Sequence, residues 1–109
     1  MGSDLYQQRD EWLRHLDEAI ADLKSEGIKA AQKNREYRRL AARKMLELRL
    51  EGTPVGVCET LIKGDEGVSS AKYESDAAEV LMTAAKESIN AAKRHLDILR
   101  EDIEREYRS

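Results

Sequence analysis

The sequence predicts an all-α protein: a long antiparallel helical hairpin, coiled-coil-like, with a short helix at its tip, that assembles as a dimeric helical bundle. Three observations lead there. Apolar residues recur at coiled-coil spacing over residues 71–107, the composition is that of solvated helices, and one cluster of turn residues, Gly52-Thr53-Pro54, divides the chain. Charged residues make up 38% and aromatic residues 5%, with no Phe and one Pro, which disfavours a compact sheet. At 109 residues the chain reads as a single domain, 1–109, and one this short buries a modest fraction of its surface unless it finds a partner.

The first long helix is expected over 4–51. Asp4 and Gln7 have capping-box spacing, and Asp10 and Glu11 favour the positive end of the helix dipole. Its seam reads Leu13, Leu16, Ile20, Leu23, Gly27, Ala30, Asn34, Tyr37, Ala41, Met45 and Leu48. Gly27 costs about 1 kcal/mol relative to Ala inside a helix. The apolar phase nevertheless carries through it and no proline follows, so one continuous helix is preferred to a break. Asn34 lies either on the seam, where a buried amide fixes register, or at its edge in water.

Residues 52–65 form the turn. Gly52 suits the left-handed residue after a helix, Thr53 a cap, and Pro54 the first turn of a short helix over 54–63, which Gly64 ends. Asp65 can cap the second long helix, 66–107. That helix carries two adjacent rows. One is Ala78, Met82, Ala85, Ile89, Ala92, Leu96, Leu99 and Ile103; the other, one residue earlier, is Ala77, Leu81, Ala84, Ser88, Ala91, His95 and Ile98.

Charge orients the two long helices. Residues 1–28 carry seven acids against three bases, and residues 29–51 eight bases against three acids. Folding back at 52–65 sets the basic segment beside Glu74, Asp76 and Glu79, and the acidic start beside Lys93, Arg94, Arg100, Arg105 and Arg108, with His15 opposite about Asp102. A helix with two rows wants two neighbours, which predicts a homo-oligomer, a dimer forming a four-helix bundle in preference to a higher assembly. Its interface is expected at Met82, Ala85, Ile89, Ala92, Leu96, Leu99, Ile103, Leu16, Ile20 and Leu23.

Taken in order, the segments Leu50-Glu51-Gly52-Thr53-Pro54-Val55, Ile62-Lys63-Gly64-Asp65, Tyr73-Glu74-Ser75-Asp76-Ala77-Ala78-Glu79-Val80-Leu81, Ala84-Ala85-Lys86-Glu87-Ser88-Ile89-Asn90 and Ile103-Glu104-Arg105-Glu106-Tyr107 resemble a family of short helical proteins encoded by tailed phages and prophages of Gram-positive bacteria. The likeness spans about residues 37–107. The chain departs from the family pattern at Ala91-Ala92, which stand in place of larger aliphatics. The resemblance implies a phage or prophage origin and a host-cytoplasm setting; it carries no activity and no functional residue across.

Candidate chemistry is sparse. Neither His15 nor His95 has a Glu three residues before it, as carboxylate metal sites in bundles require, and Cys58 has no second cysteine to pair with. No phosphate loop, nucleophile elbow or zinc spacing occurs. The expectation is therefore no enzyme, no cofactor and no metal. Arg35, Arg39 and Arg43 stack on one helical stripe able to follow a phosphate backbone, with Tyr37 the one aromatic residue in the basic run. Trp12 is a core residue or a hot spot for a foreign protein. One cysteine, no hydrophobic leader and no apolar run near the ~18 residues of a membrane span point to the cytoplasm and no membrane; that the cytoplasm is that of a bacterial host is what the resemblance implies. The expected function is a non-enzymatic phage or prophage interaction protein that docks on another protein, a phage replication component or a host defence factor. The alternative is a nucleic-acid-associated accessory protein.

Overall fold

Gly52 is where the chain reverses. The computed structural model describes residues 2–108, and these form three helices and no strand: α1 Gly2–Leu50, α2 Val55–Gly64 and α3 Glu66–Arg108. The fold is the expected all-α helical hairpin, with α1 unbroken through Gly27. Contacts divide it into two compact units, residues 2–25 with 82–108, and Glu26–Leu81.

In the second unit, Glu26–Leu81, α1 ends in a Schellman motif. Gly52 takes φ +90°, its N–H donates to Arg49 O at 3.1 Å, and the Thr53 N–H donates to Leu48 O at 2.9 Å. Pro54 is the N-cap of α2, its carbonyl accepting from Val57 and Cys58, and the Thr53 side chain caps nothing. The first helical position belongs to Val55 rather than Pro54, because Pro54 takes the extended backbone of a cap, with ψ 144°. Arg49 donates to Thr53 O at 2.9 Å and Cys58 Sγ lies 3.7 Å from the same oxygen. Cys58 is fully buried, a small packed residue under the turn.

Asp65 separates α2 from α3 and caps α3 as expected, its Oδ2 accepting from the Val68 N–H at 3.0 Å. That hydrogen bond, opposed by desolvation and assisted by the Lys44 charge, holds the Asp65 carboxyl below its ordinary value. Lys44 lies 3.6 Å from Asp65 and Lys33 3.1 Å from Glu74, so α1 and the returning leg are antiparallel. Inside are Leu48 of α1 and Cys58 of α2 with Val68, Ala71, Ser75 and Ala78, the last four a three-and-four row that extends the expected seam of α3 back to its first turn. Asp76 pairs with Lys72 on its own helix at 3.0 Å, not with α1. Asn34 is exposed, which settles it at the edge.

The first unit, residues 2–25 with 82–108, is also an antiparallel pair. Trp12 stacks on His95, ring centroids 4.0 Å apart. Position 15 is therefore level with residues near Ala92, not Asp102. The register differs from the expected one because the reversal is complete at Gly52-Thr53, and α2 already belongs to the returning leg. Two of the bases expected to reach across, Arg100 and Arg105, pair instead on their own helix, with Asp97 and Asp102.

Two outcomes test these caps. Space around Gly52 is open, so Gly52→Ala meets only the backbone cost of positive φ and lowers stability by about 1 kcal/mol; the urea midpoint reads it. Asp65 has a depressed folded pKa, so its contribution is complete above the unfolded value, about 4, and is lost as pH falls through the folded one. Acid titration of the helical signal should show a smaller loss of stability between neutral and acid pH in Asp65→Ser, which keeps a cap without the charge.

Candidate functional site

A two-helix groove has little interior, so chemistry on this molecule has to be sought on its faces. The groove takes the bulkier row of α3. In the first unit Ala85, Ala92 and Leu99 are buried and Met82, Ile89, Leu96 and Ile103 half-buried, facing half-buried Leu16 and Leu23 of α1. These residues were expected at an interface between copies; here the chain itself covers them. Ile20 is the exception. It is exposed, as is Leu13, while Trp12 and Ala19, one residue earlier, turn inward. The phase of α1 is thus shifted by one residue at alternate seam positions, with Leu16 and Leu23 unaffected.

The second row of α3 remains largely uncovered. In the second unit Tyr73, Val80 and Leu81 are 75%, 67% and 55% exposed, with exposed Ala77 between them. In the first unit Ala84, Ser88, His95 and Ile98 are exposed and Ala91 half-buried. An open groove of about 290 Å³ lies beside this part of the row, lined by Trp12, His15, Glu18, Ala19, Asp22, Ser88 and Ala91. Trp12 is half-buried and held by His95, with His15 5.1 Å away and tilted. It is a seam residue that also lines the groove, not a free hot spot.

The basic run of α1 separates into two classes. Lys33 and Lys44 lean across to Glu74 and Asp65, and Lys29 lies 3.7 Å from Glu26. Arg35, Arg38, Arg39 and Arg43 are exposed and, among the described residues, form no ion pair. Tyr37 is half-buried beneath Lys72, whose Nζ is 5.3 Å from the ring centroid, so it offers no open face to a nucleic-acid base. Asp76, by hydrogen bond and by charge, raises the pKa of that lysine.

The two histidines flank Trp12 rather than a carboxylate cluster, and among the described residues no group of three His, Cys, Asp or Glu is placed to hold a metal ion. Among the same residues no helix is long and apolar enough to cross a membrane. A basic run mixed with acids hid the division between neutralised lysines and unpaired arginines. The signal that would have found it is period: residues 33, 37 and 44 share the seam side, and 35, 39 and 43 do not.

The shifted phase of α1 is testable. Trp12→Ala should cost about 2 kcal/mol and Leu13→Ala under about 1 kcal/mol, with the reverse order expected had Leu13 been the buried one; denaturant titration followed by far-UV circular dichroism measures both. No known family model matches the chain, and no curated protein or solved structure is significantly similar to it, so the functional reading rests on fold and side-chain geometry.

Proposed function

We propose that this chain is a non-enzymatic interaction protein that docks on another protein through the outer row of α3. The observation that carries the reading is the uncovered row itself: Tyr73, Val80 and Leu81 in one unit and Ile98 in the other stand in solvent on a helix whose adjacent row is packed. Leaving large apolar side chains wet forfeits roughly 1.5 to 3 kcal/mol each that a partner could recover. Ala77, Ala84 and Ala91 lie between them, and small side chains at helical spacing let a second backbone approach closely. A partner helix reading anchors at three- and four-residue steps is the occupant of matching chemistry. The phage or prophage setting, with a replication component or host defence factor as partner, rests on the family likeness alone.

A second reading is favoured by one specific observation, the unpaired arginines. Arg35, Arg39 and Arg43 keep their charge available to phosphates, so the chain would serve as a nucleic-acid-associated accessory protein. The two readings separate by salt and by residue. Affinity capture from a bacterial host, with and without nuclease, should return a nuclease-resistant partner that Leu81→Asp and Ile98→Asp each abolish and that Arg39→Glu leaves in place. A nuclease-sensitive partner, lost with Arg39→Glu and falling steeply between low and physiological salt, would replace the first reading by the second.

A further inference from the structure

α1 carries a second row that its own hairpin covers only in part, and the row is acidic in one unit and basic in the other. In the first unit Tyr6, Asp10, Leu13, Asp17 and Ile20 recur at steps of four and three, all exposed. Tyr6, Leu13 and Ile20 each follow a seam residue, Leu5, Trp12 and Ala19, and so lie on one flank of the groove. Asp17 has no ion pair among the described residues, and Asp10 has only its exposed chain neighbour Arg9 at 3.4 Å. In the second unit Ile28, Ala31, Arg35, Arg38, Ala42 and Leu46 recur in the same manner, with Arg39 beside them, and all are exposed. The lysines of that segment are engaged within the chain and these arginines are not.

We propose that two copies of the chain associate antiparallel along α1, the acidic-apolar row of the first unit of each copy seated on the basic-apolar row of the second unit of the other. One register sets Tyr6 opposite Leu46, Asp17 opposite Arg35, and Asp10 opposite Ala42 between Arg39 and Arg43, so that both acids of the row face bases, while Leu13 falls opposite Arg39 and Ile20 opposite Gln32. The arrangement is isologous: whatever residue 17 of one copy meets in its partner, residue 17 of the partner meets in return, so each charge contact occurs twice. Parallel pairing sets acid on acid and base on base, which excludes it. This interface uses α1 and leaves the outer row of α3 for a different protein, so it stands or falls separately from the docking role proposed above. It also occupies the arginines that a nucleic acid would need.

The test is charge exchange in the full chain, followed by sedimentation equilibrium. The unaltered protein should be dimeric at tens of micromolar and dissociate as salt rises. Asp10→Lys with Asp17→Lys, and separately Arg35→Glu with Arg39→Glu, should each weaken self-association about tenfold or more while the helical signal stays unchanged. Mixing the two variants should restore a dimer, because the altered faces are again complementary. A monomer at all concentrations overturns the proposal, as does a dimer indifferent to both charge reversals or a mixture that fails to associate. A dimer abolished by Leu81→Asp and untouched by the exchange would assign self-association to α3 instead, which also overturns it.

Discussion

The left-handed turn at Gly52 is the constraint on which the other contacts depend. By taking φ +90° it lets two N–H groups close the end of α1 and sends the chain straight back, so that α2 is already on the returning leg. That decides which residues meet: Lys44 with Asp65 and Lys33 with Glu74 in the second unit. Had the chain spent residues 52–65 crossing a tip, every partner on α3 would have moved by about three helical turns. In the first unit the outcome is Trp12 on His95 rather than His15 near Asp102.

Much of this was legible in the residues. The punctuation at Gly52, the cap at Asp65, the continuity of α1 through Gly27 and the packed row of α3 all follow from local rules that tertiary structure did not override. Register was not legible, because it depends on whether α2 crosses the tip or begins the return, and both fit a ten-residue helix between a Pro and a Gly. Half of the α1 seam was not legible either. Ile20 outranks Ala19 in hydrophobicity, and Leu13 and Trp12 are both apolar enough to take the seam. The groove nevertheless takes the flat ring that stacks on His95 and the short side chain that permits close packing.

The faces of the hairpin are chemically unequal, and the inequality follows from the same pairing. Each lysine that reaches a carboxylate, on its own helix or across the groove, is removed from the field available to a partner, leaving the guanidinium groups of Arg35, Arg38, Arg39 and Arg43 as an open positive surface on the α1 part of the second unit. Arginine is the better residue to leave outside, since its planar fork is weakly hydrated and binds carboxylates in two places at once. The apolar side chains interleaved with it, Ile28 and Leu46, add short-range contacts that a purely electrostatic surface would lack.

The proposed interaction role accords with how little of the hairpin is withdrawn from water. Shifted pKa values and strong electrostatic stabilisation of a transition state both require charges withdrawn from water. Here Cys58 is the largest fully buried side chain among the described residues, and the buried row of α3 is mostly alanine. The shifted groups, Asp65 and Lys72, are accounted for by a helix cap and a helix-surface ion pair. What the two helices do supply is long rows of side chains fixed at regular spacing, with the entropy of ordering the backbone already met by folding. A partner that presents the same spacing gains from every turn it matches, and a small molecule gains from only one.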